Sequence, residues 1–377
     1  MSNDPYPVTS YQNTVAQKRV ITDYIAMLDP SDAPFIEAIG GLDGASSKFR
    51  FVNKGTKVEW LEDNLSPLAG TLSMAASVAG SATTITAADA NMLQPGHILK
   101  IGTELLWVSS VSPSTKEVVV TRGFGGTSTA TIASTATFSI VGMARLEAAE
   151  ATPIGTTPVS NNYNYTQIFE KEVRVSGTAQ SIDFYGITNP MEYQEAKSIP
   201  EQMRLIELTL QNGKRDAGSS STPRTMGGYE VFITSNTVQG SAFAVGVINS
   251  AAQKIYDAGG SGDFLAICNP SDFTKVQALF DNSAFVRYSP DQSVFGVEVQ
   301  TVRTPFGNVN FLIDRWQKQG TIPMLTLENV GMLTLRPWTV TPLAKSGDYD
   351  REELTGEFTF CVKLEKSHAL IKNVPAN

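Results

Sequence analysis

Residues 68–142 constrain the fold more than any other stretch of this sequence. Charge almost vanishes there, and Thr, Ser, Ala and Val dominate. TTITAAD, HILKIG, ELLWVSSV, KEVVVTRG and ATFSIVG read as short strands, separated by turn signals at Gln94-Pro95-Gly96, Gly102-Thr103 and Ser112-Pro113. Five short strands in such a tract predict a small β-barrel or sandwich. The tract starts and ends in similar extended text, which is best explained by an autonomous domain inserted into a long loop.

Within it, VVVTRGFGGTS (residues 118–128) has the texture of a strand feeding a phosphate-cradling loop. A dinucleotide fingerprint needs Gly-x-Gly-x-x-Gly followed by a helix. Gly123 and Gly125 fit, but Ser128 holds the third position, and TATIASTATFSI lacks an apolar helical stripe. A P-loop would close on Gly-Lys-Ser/Thr, whereas Gly126 is followed by Thr127. The glycines therefore read as a turn between two strands that needs positive φ. Arg122 beside them is expected as a surface or inter-subunit contact.

The text on either side is organised differently. NTVAQKRVITDYIAMLDPSDAPFIEAIGG has helical spacing at Val20, Ile21, Tyr24, Ile25 and Leu28, a break at Asp29-Pro30, and a short second segment ending on glycines. KFRFVNKGTKVEWLEDNL alternates at Phe49, Phe51, Val58 and Trp60, as in an extended hairpin. NPMEYQEAKSIPEQMRLIELTLQNGKRDAG is the one long helical pattern, capped at Asn189-Pro190 and stopped at Asn212-Gly213. Its apolar face runs through Ala196, Ile199, Met203, Ile206 and Leu210. Pro200 predicts a kink, or a break in which Ser198 re-caps a second segment. From about 240 to 345 helix and strand alternate, with a hairpin turning at Pro305-Phe306-Gly307-Asn308. EFTFCVKLEKSHALIKNV is read as a strand through Phe358, Phe360, Val362 and Leu364 with a short exit.

Chemistry is hard to find. His97 and His368 are the only histidines, and neither stands in a metal-ligand pattern. His368, with Glu365 and Lys366 beside it, is expected on a solvated surface. The acid pairs Glu62-Asp63, Asp348/Asp350 and Glu352-Glu353 sit in polar text, and no Gly-x-Ser-x-Gly elbow occurs. The cysteines, Cys268 and Cys361, read as buried thiols of a reducing compartment. A net charge of −8 argues against a chain that binds nucleic acid over its whole surface. No run of about 18 apolar residues is present to span a membrane. The opening MSNDPYPVTSYQNT lacks the basic and apolar regions of a signal peptide. No enzyme and no cofactor are expected.

With catalytic signals absent, element order carries the reading: an arm, an extended excursion with an inserted β-domain, a long helix, an α/β domain, and a returning strand. This order resembles the major capsid protein of tailed bacteriophages, the Hong Kong 97 fold, in the branch with a β-domain inserted in the extended loop. VAQKRVITDYIAMLDPSDAPFIEAIG, NGKRDAGSSSTPRTMGGYEVFI, FGNVNFLIDRW and ENVGMLTLRPWTVTPLAKSGDYDREELTGEFTFCVKLEKSHALIKN are the stretches that look most like that family, together with the TRGFGGT turn.

The resemblance implies an α+β fold with an arm and short helices over 1–47. An extended loop would cover 48–67 and 143–182, an inserted all-β domain 68–142, and a spine helix with part of the peripheral domain 183–239. An axial domain would follow over 240–345 and a C-terminal peripheral strand over 346–377. It also implies self-assembly into hexamers and pentamers that close an icosahedral shell around double-stranded DNA in the virion, built in the host cytoplasm. Portal, scaffolding and decoration proteins would be possible partners, and the genome would be touched non-specifically on the inner face. Relatives that carry a charge-rich N-terminal scaffolding segment differ from this text, so a separate scaffold, or none, is expected. Candidate assembly contacts are Lys18, Arg19, Trp60, Arg122, Glu201, Arg204, Glu207, Trp316, Trp338, Asp348 and Arg351. Lys18, Arg19, Lys48, Arg50 and Lys54 form a basic cluster that would meet genome, neighbour or solvent. The alternatives are an encapsulin-like compartment, another phage shell or tail component, and a β-rich adhesive or carbohydrate-binding surface protein.

Overall fold

A computed structural model describes residues 33–42, 54–148, 159–239, 244–260, 262–281 and 301–372. The chain divides into two units, one of Leu61–Asn162 and one of Met1–Trp60 with Tyr163–Asn377. The helical spacing expected at Val20–Leu28 and the alternation at Phe49 and Phe51 lie outside the described residues.

Helix α1 (Pro34–Ala38) opens on a proline at its first turn and ends at Gly40 and Gly41, both with positive φ. It buries Phe35 and Ile36. Strand β1 (Lys57–Glu62) buries Val58 and Trp60 by simple alternation. Its partner is not a neighbouring strand, as a local hairpin would require. It is β8 (Ser160–Tyr165), about a hundred residues downstream.

Between them the smaller unit contains β2 (Ala69–Thr71), β3 (Thr84–Thr86), β4 (His97–Ile101), β5 (Glu104–Ser112), β6 (Glu117–Thr121) and β7 (Thr137–Met143). Their order is β2-β7-β4-β5-β6-β3, antiparallel at every pairing. The two outer strands also meet. Leu72 bridges Ala87, Ser73 N–H donates to Thr86 O at 2.9 Å, and Ala88 N–H donates to Thr71 O at 2.9 Å. The sheet therefore closes on itself, which selects a barrel over a sandwich and removes exposed strand edges. Inward residues of alternating strands (Leu99, Leu106, Val108, Val118, Phe138) fill it, with Leu72, Ile85 and Ile132. Each full burial of such a side chain contributes about 1.5–3 kcal/mol.

The chain re-enters the larger unit within β8, at Tyr163, and only Thr166 separates β8 from β9 (Gln167–Ser176). Helix α2 (Gly177–Ser181) is capped by Ser176, whose hydroxyl accepts from Ala179 N–H. Helix α3 (Pro190–Asn212) begins as its sequence indicates, with Asn189 Oδ1 accepting from Met191 N–H. It runs unbroken through Pro200, and Ser198 Oγ donates back to Gln194 O at 2.8 Å instead of capping a new helix. It ends at Gly213, and Gly228 lies so close that a Cβ there would sit 2.4 Å from Leu210 O.

Beyond α4 (Tyr229–Phe232) come β10 (Thr237–Gln239), α5 (Val245–Asp257), β11 (Phe264–Cys268), α6 (Pro270–Asp281), β12 (Thr301–Thr304), β13 (Gly307–Ile313) and β14 (Ile322–Leu325). The long β15 (Val330–Pro342) and β16 (Tyr349–Val362) follow, then β17 (Ala369–Lys372). One mixed sheet has the order β10-β17-β14-β11-β13-β12, and an antiparallel sheet has the order β15-β16-β9.

β11 is buried along its whole length and serves two cores by alternation. Phe264, Ala266 and Cys268 pack with Ile248, Ala251, Ala252 and Ile255 of α5. Leu265 and Ile267 join Phe35, Ile206, Leu210, Tyr229 and Phe360. The C-terminal text does not form one strand. Leu364, at φ +53, turns the chain out of β16, and β17 inserts between β10 and β14 of the other sheet. The mixed sheet thus takes β10 and β17 from outside 240–345 and gives up β15.

Candidate assembly surfaces

Helix α3 lies over the β9 side of the β15-β16-β9 sheet, and its buried face is rotated from the expected stripe. Ser198, Gln202, Glu207 and Gln211 are buried with Met191, Ile206 and Leu210, while Ile199 is 44% exposed. The polar residues turn inward because each of several finds a partner there. Glu207 carboxylate oxygens accept from Phe35 N–H at 2.8 Å and Ile36 N–H at 3.3 Å. It satisfies the N-terminal donors of α1, whose own N-cap residue, Ala33, has no side chain to do so. Gln211 Nε2 donates to Asp314 Oδ2 at 2.9 Å. Glu207 is therefore an internal cap, not an exposed contact. Glu207→Ala is expected to cost about 1–3 kcal/mol by leaving two buried N–H groups unpaired, read as a lower urea midpoint; an unchanged midpoint would contradict the assignment.

Two concavities flank α3. A groove of about 770 Å³ runs beside its C-terminal half, with Ile168, Leu205 and Leu208 exposed along it. A cavity of about 270 Å³ lies beside its N-terminal half, walled by Val173, Ala196, Ile199, Val340 and Leu354 and edged by Glu192, Glu195 and Glu352. In the smaller unit, Leu61, Leu65 and Leu68 are 73%, 96% and 70% exposed. Three leucines so exposed within eight residues, one in β1 and two in the segment after it, are more apolar exposure than a finished surface carries.

Arg122 is not a surface residue. Its side chain is 5% exposed and forms a two-pronged pair with buried Glu104, Nε to Oε1 at 2.6 Å and Nη2 to Oε2 at 2.7 Å. Its remaining N–H groups reach Ala79 O and Ala130 O, and Glu104 also accepts from Gly123 N–H and Ala130 N–H, each at 3.1 Å. The Arg122 guanidinium, helped by those amides, holds the Glu104 carboxyl below the usual carboxylate range. Gly123 has φ +64, and a Cβ there would lie 2.8 Å from Thr127 O, so the turn requires glycine. The pair binds three barrel loops together.

The other contact candidates read from the sequence divide into internal and accessible groups. Trp60 is buried against Phe232, with ring centroids 5.8 Å apart. Trp338 packs on Phe358 at 5.2 Å. Arg204 stacks over Trp316 at 5.5 Å, and Glu201 pairs with Lys171 across to β9. Arg351 Nε donates to Ala344 O at 3.0 Å, and its guanidinium lies 3.7 Å from Glu172. Asp348 is exposed, and its carbonyl accepts from Gly177 N–H at 3.1 Å. Lys18 and Arg19 lie outside the described residues.

His368 is fully buried, against the expected solvated surface. Its Nδ1 accepts from Thr326 N–H at 3.1 Å and its Nε2–H donates to Lys363 O at 3.1 Å. Burial lowers its pKa to about 4. Glu365 takes the amides and hydroxyls of Thr234 and Ser235. His97 shares a hydrogen bond with Gln94 at 2.9 Å. Cys268 and Cys361 are free and buried, and burial pushes both thiols up, Cys361 to about 12.

Two organising groups have no motif in the sequence. Glu357 accepts from Thr166 Oγ1 at 2.6 Å, Arg224 at 2.5 Å and Arg336 at 3.0 Å, which joins β16, β15 and the loop before α4. Burial raises its carboxyl, but these three donors outweigh burial and hold it low. Asn164 Nδ2 donates to Gly227 O at 3.0 Å and Phe360 O at 2.6 Å. The available signal was a charged residue inside the strongly alternating TGEFTFCV.

The family profile described as SU10 major capsid protein matches residues 8–375. No curated protein sequence matches the chain significantly. Among solved structures, the cyanophage A-1(L) capsid asymmetric unit aligns with a TM-score of 0.56 at 10% identity, covering 97% of this chain and 99% of that one. The capsid of the native GTA particle aligns with a TM-score of 0.55 at 10% identity, covering 97% of both chains. Mycobacterium phage Bobi gives 0.50 at 9% identity, covering 98% of this chain and 99% of that one.

Proposed function

The chain belongs to the SU10 major capsid protein family, and we propose that its copies assemble into hexamers and pentamers that close an icosahedral head shell around double-stranded DNA. Its capsid role, supported by the match over residues 8–375, takes precedence over the compartment and adhesive alternatives. The observation that carries the mode of assembly is the exposure of Leu61, Leu65 and Leu68. Leu61 lies in β1 and Leu65 and Leu68 follow it, at the β1–β8 ribbon, whose two strands pair, among the described residues, only with each other. A ribbon with exposed leucines is incomplete as a monomer surface. It becomes complete when laid on the apolar groove of a neighbouring copy, where Ile168, Leu205 and Leu208 are exposed. Modest contacts of this kind gain strength by repetition around a closed shell.

The barrel, with a core of its own, acts as an added module of the shell. The basic residues Lys18, Arg19, Lys48, Arg50 and Lys54 meet either the genome, through non-specific phosphate contacts, or a neighbouring copy. Portal, scaffolding and decoration proteins are the remaining partners, the virion is the site of action, and assembly takes place in the host cytoplasm. Replacing Leu61, Leu65 and Leu68 together by Gln tests the reading. Shell yield is expected to fall at least about tenfold, while the unfolding midpoint of the unassembled subunit stays put. Shells formed at wild-type yield would contradict it.

A further inference from the structure

The acid-edged cavity beside the N-terminal half of α3 has a property that its own subunit leaves unresolved. Glu195 Oε1 is shut off from solvent and has no hydrogen-bond partner. Glu192 and Glu352 stand at the same cavity, and no ion pair engages any of the three carboxylates among the described residues. A buried carboxylate oxygen without a donor is costly. Ala196 and Ile199 belong to the apolar stripe that the α3 sequence marks for covering, yet both are exposed, Ile199 at 44%. With Val340 and Leu354 they make walls suited to an alkyl stem, while the carboxylates suit a cationic head. Among the described residues no three acids converge as a metal-ligand set, so a divalent ion is the poorer fit.

We propose that this cavity receives a lysine or arginine side chain from a second copy of the chain, whose stem covers Ala196 and Ile199 and whose charge satisfies Glu195. The proposal rests on the self-assembly reading above. The second copy is the occupant because the cavity opens on a surface of a protein that must bind itself, and because its charge is opposite to the basic cluster around Lys48, Arg50 and Lys54. A desolvated charge pair of this kind fixes register between subunits and slows dissociation.

The test uses the full chain under conditions where wild-type protein assembles. Combined Glu195→Gln and Glu352→Gln is expected to raise the concentration for half-assembly about tenfold or more, and Glu195→Lys to abolish assembly. The Gln variant is expected to leave the unfolding midpoint of the free subunit unchanged or raised, since it removes a half-buried carboxylate whose Oε1 has no donor. A photo-crosslinking benzoylphenylalanine at Ile199, in shells of mixed isotope-labelled and unlabelled subunits, is expected to join two subunits at a peptide carrying Lys or Arg. Wild-type assembly with indifferent Gln and Lys variants overturns the pocket alone, as does a crosslink confined to one subunit. Failure of the wild type to assemble overturns the capsid reading and the pocket with it.

Discussion

Arg122→Ala is expected to destabilise the barrel by about 3–5 kcal/mol, because it strands the Glu104 carboxylate inside the fold without its cation. The side chains of both partners are almost fully covered, and the guanidinium also holds carbonyls at Ala79 and Ala130. For a unit of this size the shift in the melting transition is on the order of 20 °C. Removing both charges in Arg122→Met with Glu104→Leu is expected to recover much of the loss, since a buried pair is worth little against well-packed apolar replacements. Calorimetry of the full chain reads both variants. A barrel transition that moves alone supports independent folding of the smaller unit. A shift of Arg122→Ala below about 3 °C would show that the pair contributes little.

Acid lability between pH 6.5 and 4 is the second large effect, and it originates at His368. Folding lowers its pKa from 6.5 to about 4, through burial above all. The geometry agrees: a proton on Nδ1 would confront the Thr326 N–H that Nδ1 now accepts. The unfolded chain therefore binds the extra proton first. Stability is full above pH 6.5, falls as pH drops through the window, and is lost once the folded form also protonates near 4. The loss amounts to about 3 kcal/mol. Glu104, Glu357 and Glu365, whose folded pKa values are depressed, add their own losses below the usual carboxylate range of 4.5. His368→Gln is expected to be less stable at pH 7 but to show a flat stability profile from pH 6.5 to 4.5, measured by urea unfolding at each pH. A variant with the wild-type slope would place the acid sensitivity elsewhere.

What could be read from the sequence was local and periodic. Five of the six barrel strands were legible because alternation and turn residues are short-range signals; the three-residue β2 was missed, and closure awaited the Leu72–Ala87 bridge. Helix α3 was legible from its cap to its stop, but its rotation was not. Glu207 and Gln211 are buried by partners over a hundred residues away, a relation no helical stripe records. The pairing of β1 with β8 was hidden for the same reason, with an entire barrel lying between them. His368 was misjudged because its neighbours Glu365 and Lys366 are polar. The chain turns at Leu364 and carries the imidazole inward while those side chains stay near the surface. Of the candidate contacts, Trp60, Arg122 and Glu207 proved to be internal, since charge and aromaticity mark cores as readily as interfaces. The exposed leucines and the acid-edged cavity became visible only once the fold showed what was left uncovered.

The most direct test of the account is electron microscopy of the purified chain, expressed alone or with its neighbouring genes, across a range of salt and crowding conditions. Closed shells built of five-fold and six-fold capsomers are the expected result. A protein that stays monomeric under every condition, with neither capsomers nor shells, would contradict the central claim.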